Sequence, residues 1–380
     1  MFSSQLGAER SYTRENKILG RTLTAPWLSM PLGTDGDLYF SGNLGINYQS
    51  SENPVFIPEL SRMEIQYRFS SQFSMRSGRF SWRDPSLFTA GGSFDGVEIV
   101  YDPGFFTLGA AFLYTGFLHR NSVDVSVSPG DSRDYSALLD WADFSGTYFS
   151  VPRFIGSLYG EFPVFPFGRG VLNTGIMVQF DNSGAEEKFN TQYFLLRYTL
   201  FYRRWDFAFS GAVQLVNTAA RGFMAGFATA AECGIALPGA LTDRLSFGLR
   251  WASGAGPVTA AYFPVTREAQ GLALRPALTG IMTVRVKYEN RINPSLFAEI
   301  GGRYFLRTDA SSFSDPDLGH QNLGADSYLL GAEFDAGILW VPFSDLSFSF
   351  SAGAFFPQTG IAMRQADLRW FINVGTIFSF

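Results

Sequence analysis

The side chains in this sequence that could carry chemistry are guanidiniums and carboxylates. Acidic residues outnumber basic ones by 34 to 29, and the net charge is −5. Among the basic residues only Lys17, Lys188 and Lys287 are lysines. Arginine is favoured where a cation must keep a fixed, hydrogen-bonded geometry in confined surroundings. One cysteine and two histidines leave no intrachain disulfide framework and no cysteine–histidine metal spacing.

These charged residues alternate with apolar ones. In residues 60–70, Arg62 and Glu64 flank Met63, and residues 278–290 repeat the pattern. A period of two is typical of a β-strand whose two faces meet different surroundings. The polar faces carry the candidate site residues, which are Arg62, Arg68, Arg76, Arg79, Arg153, Arg197, Arg250, Arg285, Lys287, Arg303, Arg369, Glu299, Glu333 and Asp335. Placing Arg79 on this face requires a β-bulge near residues 77–78.

The elements that hold these residues extend over the whole chain and predict one all-β domain, residues 1–380. No apolar run is long enough for a membrane-spanning helix, whereas each alternating segment can cross a bilayer as a tilted strand of about 9–11 residues. Aromatic residues make up 17% of the chain and recur near segment ends, as in interfacial girdles. The sequence therefore predicts a transmembrane antiparallel up-and-down β-barrel of about 18 strands.

The connections between the segments alternate in length. Short turns, as at 31–36, contrast with long polar connections at 83–93, 119–148, 256–277 and 308–325. Short periplasmic turns and long extracellular loops are typical of outer-membrane barrels, so we expect the outer membrane of a diderm bacterium. The first residues do not resemble a signal peptide, so an exported chain would be a mature form or begin late.

Other classes of protein fit the pattern less well. The exposed face of a soluble β-sandwich should be rich in lysine and glutamate, but these polar faces hold Gly, Ser, Asn, Gln and Arg–acid pairs. An enzyme is not expected, because His119 and His320 fall in predicted loops with no strand serine obviously opposite. The acidic loop 119–148 lacks the spacing of an EF-hand, although its apolar centre could fold inward. No metal or cofactor is expected.

Several motifs resemble the alginate-export family of outer-membrane barrels. They are 331–335 (GAEFD), 340–343 (WVPF), 353–357 (GAFFP), 250–254 (RWASG), 261–266 (AYFPVT), 77–80 (SGRF) and 94–97 (FDGV). The resemblance implies a monomeric barrel of about 18 strands. The family's dense basic lining for a polyuronate is not matched, because many acids share the predicted lumen. Spirochaete porin-like barrels are similar as well. Phe380 resembles the C-terminal strand signal that the barrel-assembly machinery reads.

The predicted lumen holds more bases than acids, although the whole chain is acidic. Because charged rings set selectivity through local potential, we predict a channel for passive diffusion of small hydrophilic, anionic solutes. The alternative is a surface-exposed structural or adhesin-type barrel with a plugged lumen and partner-binding loops. For any single arginine, the alternative to a role in selectivity is that it only neutralises a neighbouring acid. The expected partners are outer-membrane lipid, the assembly machinery and the solutes, and the negative charge argues against nucleic acid.

Overall fold

The computed structural model describes residues 1–10, 16–49, 53–120, 123–127, 139–164, 169–183, 188–218, 222–238, 242–256, 259–309, 327–360 and 367–379. Phe380 lies outside them. The described helices are α1 (Phe144–Tyr148) and one 3-10 turn (Pro357–Thr359). None is long and apolar enough to cross a membrane. The strands are β1 (Phe2–Arg10), β2 (Asn16–Thr24), β3 (Trp27–Leu32), β4 (Gly36–Gln49), β5 (Val55–Arg68), β6 (Phe73–Arg83), β7 (Gly91–Tyr101), β8 (Thr107–Tyr114), β9 (Arg153–Val164), β10 (Arg169–Asp181), β11 (Thr191–Tyr202), β12 (Trp205–Thr218), β13 (Gly222–Ala236), β14 (Thr242–Ala252), β15 (Ile281–Asn293), β16 (Leu296–Arg307), β17 (Leu329–Phe343), β18 (Leu346–Phe356) and β19 (Arg369–Phe378).

The strands form one closed antiparallel sheet. Pairing runs from β3 round to β19, and β1 closes the ring by pairing with both β2 and β19. Strands β2 and β3 share one position, because Thr24 lies opposite Leu44 and Trp27 opposite Ser41 in a single register along β4. Pro26, which has no N–H to donate, interrupts them. The predicted antiparallel barrel of 18 positions is confirmed.

The two ends of the barrel differ as the alternation in loop length predicts. Turns of two or three residues, such as 33–35, 203–204 and 344–345, lie at one end. The long connections lie at the other and include 115–152 and 253–280. The predicted loop at 83–93 is shorter in the structure, since β6 extends through its first residue and β7 begins at Gly91.

The two faces of the wall follow the period of two. In β4, Phe40 and Ile46 are exposed on the outside of the barrel, while Asn47 points into the lumen and is half-buried. In β19 the exposed outward residues include Ile372 and Val374. Apolar outward side chains of this kind are what lipid requires of a transmembrane barrel.

The lumen near the long-loop end contains an apolar core of its own. Inward side chains of the wall, including Ile155, Met177 and Tyr193, are fully buried there. Tyr262 and Leu274, from the connection between β14 and β15, belong to the same cluster and are fully buried too. This connection therefore folds into the barrel and packs against its inner wall.

The register of β19 gives a first testable prediction. Ile372 faces outward near the middle of the strand, opposite Ala8 and Ala352, and the inward Asn373 is its neighbour. Ile372→Arg should lower the free energy of unfolding in lipid vesicles by about 2–4 kcal/mol, the cost of arginine near the bilayer midplane. Asn373→Arg is the matched control and should be far better tolerated. Equal losses at both positions in urea titrations would contradict the assigned faces.

Candidate functional site

Residues 84–90 turn into the lumen directly after β6. The fully buried Asp84 carboxylate accepts hydrogen bonds from the backbone N–H groups of Ser86 (2.7 Å), Thr89 (3.0 Å) and Ala90 (2.8 Å). Burial raises the pKa of Asp84, against the lowering effect of these hydrogen bonds. Leu87 has a φ of 70°, which is uncommon for a residue other than glycine. The carboxylate thus holds together a turn that the backbone alone disfavours.

The two inward connections are bonded to each other across the lumen. The Thr89 and Tyr262 hydroxyls lie 2.7 Å apart. The backbone N–H of Val265 donates to the carbonyl of Thr89 at 2.7 Å, and the N–H of Gly91 donates to the Thr266 hydroxyl at 2.8 Å. The connection 253–280 therefore reaches from its own strands to the opposite wall of the barrel.

A buried carboxylate fastens the far part of the same connection. Glu333 of β17 is fully buried and accepts hydrogen bonds from three successive backbone N–H groups, those of Leu272 (2.7 Å), Ala273 (3.2 Å) and Leu274 (2.7 Å). Successive N–H groups of this kind form an anion-binding concavity. Arg303 lies 3.8 Å from the same carboxylate. The sequence pattern predicts Glu333 on the lumen surface, where it would influence selectivity. In the structure Glu333 instead holds the connection 253–280.

Between these loops and the wall of β11–β16 lies a cavity of about 260 Å³, here called the arginine chamber. Leu87 and Phe88 contribute an apolar side to its lining. Its charged lining residues are Arg83, Arg197, Arg250, Arg285, Arg303, Glu232 and Glu268. Five cations and two anions give the chamber an excess of positive charge.

Part of this positive charge is neutralised within the chamber. Arg250 lies 3.2 Å from the Glu268 carboxylate, and both side chains are about a third or more exposed. Arg285 lies 3.2 Å from Glu232, a carboxylate that Arg244 of the neighbouring strand also contacts at 3.1 Å. These partly exposed pairs are reachable from the chamber, and such pairs contribute little to stability.

Two arginines of the chamber form no direct ion pair among the described residues. Arg197 donates a hydrogen bond to the Ser210 hydroxyl at 3.2 Å. Within the described part of the chain, neither Arg197 nor Arg83 contacts a carboxylate within 4 Å. These two guanidiniums are the ones best placed to attract an anion.

Three other predicted site residues lie in the lumen towards the short-turn end. Arg62 pairs with Glu64 at 2.8 Å, and Arg76 forms an ion pair with Glu98. Arg68 is exposed and lines a separate cavity that also contains Arg76 and Glu98. Arg62 and Arg76 therefore form the neutralising ion pairs that the sequence analysis gave as the alternative to a role in selectivity.

The remaining inward residues are paired or deeply buried. Lys287 lies 2.6 Å from Glu299. Arg153 forms a fully buried ion pair with Asp181, and Arg369 is 3% exposed. Asp335 accepts a hydrogen bond from Arg303 at 2.9 Å. Their placement on the inward face matches the period of two, and their influence on selectivity stays a prediction.

Arg79 is the exception among the predicted lumen residues. The register between β5 and β6 continues unchanged through Gly78, so Arg79 lies opposite the exposed, outward Met63. The expected bulge is absent from this ladder, because Gly78 instead takes a φ of 112° and lies too close to the Met63 carbonyl for a side chain. On that side of the wall Arg79 is buried, pairs with Asp95 at 2.7 Å and donates hydrogen bonds to the carbonyls of Leu60 and Phe117.

Sequence reasoning missed the loop residues that complete the chamber. Arg83 was counted within a loop, and Glu268 and Gln270 belong to a connection expected to be extracellular. Gln270 lies 3.2 Å from Arg250, and its carbonyl accepts from Arg303. The available signal was the apolar content of residues 272–278 in an otherwise polar loop. The loop considered for inward folding, 119–148, is described only in part, because residues 121–122 and 128–138 lie outside the described residues. Among its described residues, Val125 forms a bridge with Thr266, and Leu139 lines a cavity of the lumen.

Comparison with solved structures shows which fold this is. Three Pseudomonas aeruginosa outer-membrane channels are similar over nearly the whole chain. OccK2 (OpdF), solved with glucuronate, has a TM-score of 0.63 at 10% identity and covers 100% of this chain and 97% of its own. OpdK, solved with vanillate, has 0.62 at 11%, covering 99% and 96%. OprD has 0.61 at 11%, covering 99% and 91%. The fold is that of the OprD/Occ porins.

The similarity to these proteins is one of fold and not of sequence. No family model matches this chain, and no curated protein matches it in sequence. The porin-like barrel is confirmed, whereas the alginate-export resemblance receives no support from these comparisons.

The Glu333 anchor gives a second testable prediction. Glu333→Gln removes the charge that three backbone N–H groups share, and hydrogen bonds to charged groups contribute about 1.5–3 kcal/mol each. We expect the connection 253–280 to open, so that trypsin cleaves faster after Arg267 or Arg275 while the barrel keeps its resistance to unfolding in detergent. Glu299→Gln, at an exposed carboxylate, is the control and should leave cleavage unchanged. Identical cleavage rates in the two variants would show that Glu333 does not hold the loop.

Proposed function

We propose that the chain is an outer-membrane channel for passive diffusion of small hydrophilic solutes, with a preference for anions. The observation that carries this proposal is the arginine chamber, where Arg83 and Arg197 have no carboxylate within 4 Å among the described residues. Fixed cations in a pore raise the local concentration of anions. Two porins of the same fold were solved with vanillate and glucuronate, both carboxylate anions, which supports the same solute class here.

The chamber also determines how selective such a channel is. Charge is screened over about 8 Å at physiological ionic strength, so an open barrel would discriminate weakly. The inward connections enclose a chamber of about 260 Å³ within the lumen, in which a small solute stays close to the guanidiniums. The proposal is a channel rather than an enzyme. A polyuronate substrate, implied by the alginate-export resemblance, is not included because Glu232 and Glu268 share the lining.

The second candidate is the plugged structural or adhesin-type barrel. It is favoured by the apolar core inside the barrel, in which Phe88 and Tyr262 of the inward connections pack at a ring distance of 6.3 Å. Conductance separates the two functions. A closed plug gives no stepwise current in a planar bilayer, whereas the proposed channel gives steps for each insertion.

Neutralising Arg83 and Arg197 is the third testable prediction. The double variant Arg83→Gln, Arg197→Gln should lose most of the anion preference because it removes the two charges that form no ion pair among the described residues. Reversal potentials across a potassium chloride gradient measure this, most clearly at low salt where screening is weakest.

Two arginines outside the chamber supply the matched control. Arg203 lies in the turn between β11 and β12, and Arg291 lies near the short-turn end of β15. The double variant Arg203→Gln, Arg291→Gln changes the total charge by the same amount and should keep the reversal potential of the unmodified protein. Equal shifts in both double variants would mean that total charge, and not the chamber, sets selectivity.

A further inference from the structure

A second cavity of about 410 Å³ lies in the lumen against β1, β2, β4 and β19. It is here called the amide chamber, after the inward side chains of Gln5, Asn47 and Asn373 that line it. Its volume lies in the range of small-molecule sites, about 300–1,000 Å³. It lies beyond the connection 253–280, which gives Glu268 to the arginine chamber and Arg275 to this one.

Three amides of this chamber are directed at the cavity. Within the described residues, the side chains of Gln5, Asn47 and Asn373 make no hydrogen bond to the protein, and the buried Oδ1 of Asn47 has no partner there. The three amides therefore present hydrogen-bond donors and acceptors to a molecule that enters the chamber.

The charges around the chamber balance. Arg21 lies 3.9 Å from Glu59, and Arg275 lies 3.7 Å from Glu9. Neither glutamate is part of the lining. The chamber thus lacks the excess positive charge of the arginine chamber, and a carboxylate solute gains less from entering it.

An apolar platform completes the lining. Phe371 faces the chamber from β19, and the guanidinium of Arg275 lies 4.5 Å from the centre of its ring. Ile57 and Leu19 add further apolar surface. A ligand that fits this lining has hydroxyl groups that both donate and accept hydrogen bonds and has C–H groups that pack on apolar side chains.

From this lining we infer that the amide chamber is a binding site for neutral polyhydroxylated solutes, a sugar of one or two rings. The site is separate from the arginine chamber and goes beyond the anion pathway proposed above. The amides supply donors and acceptors for hydroxyls, and the apolar side chains of Phe371, Ile57 and Leu19 supply surface for the C–H groups of the sugar. The channel then has two chemically different chambers on either side of the connection 253–280. The arginine chamber takes anions, and the amide chamber takes neutral sugars.

Equilibrium binding of sucrose to the full-length protein tests this site without requiring conduction. The protein is kept in a detergent that has no sugar headgroup, and binding is measured by equilibrium dialysis and by saturation-transfer NMR. Sucrose should bind saturably. The double variant Asn47→Leu, Asn373→Leu should bind it about tenfold more weakly or worse, since each lost hydrogen bond to a neutral group costs a several-fold loss. The isosteric Asn373→Asp, which loses two N–H donors with little change of shape, should weaken binding as well.

Asn173 supplies the matched control. It faces the lumen from β10 and lies outside both chambers, so Asn173→Leu should bind sucrose as the unmodified protein does. Non-saturable binding, an equal loss in Asn173→Leu, or a loss in Arg83→Gln, Arg197→Gln would overturn the assignment. So would tighter binding of glucuronate than of glucose that weakens with salt, because the site would then select charge. Reversal potentials test the anion pathway separately, so either proposal can fail while the other stands.

Discussion

The structure depends on the need to satisfy every backbone N–H and C=O group where water is absent. In a bilayer only helices and closed barrels achieve this, and here closure is made by β1, which pairs with both β2 and β19. A closed wall gives each strand an outer face and an inner face. The period of two then places apolar residues such as Ile372 outside and charged residues such as Arg285 inside, so closure also creates the lumen in which the chemistry takes place.

The same need to satisfy backbone hydrogen bonds explains how the connections are held inside the lumen. A loop that enters the barrel brings backbone groups with it, and the described parts of the connections 84–90 and 253–280 are held by buried carboxylates. Asp84 accepts from its own loop, and Glu333 accepts from residues 272–274. These acids consequently do not face the solute. The excess positive charge of the arginine chamber arises because part of the acidic complement of the lumen is used in this way.

The wall could be predicted from the sequence, and the chambers could not. Alternation reports which face of a strand a residue occupies, and it placed Arg197, Arg250 and Arg285 correctly on the inner face. It carries no information on how a connection folds, so Glu268 and the role of Glu333 were missed. The prediction for Arg79 was wrong for a local reason. A bulge was inferred from the side-chain pattern, but Gly78 adopts a positive φ and the register of the strands does not change.

The amide chamber shows a further limit of sequence reasoning. Gln5, Asn47 and Asn373 lie far apart in the chain and read as ordinary polar residues of three strands. Only ring closure brings β1 and β19 beside β2 and β4, and only the inward connection separates this space from the arginines. Their meeting in one chamber is a property of the assembled barrel.

The central claim is that ions cross the barrel through the arginine chamber, and cysteine modification tests it most directly. Ala230 lines this chamber, and Cys233 can first be replaced by serine so that Ala230→Cys supplies the sole thiol. Attaching a sulfonate-bearing thiol reagent to that position during a single-channel recording should reduce both the conductance and the anion preference, while the Cys233→Ser background does not respond. A current unchanged after verified modification would contradict the account, because the ions would then be passing elsewhere.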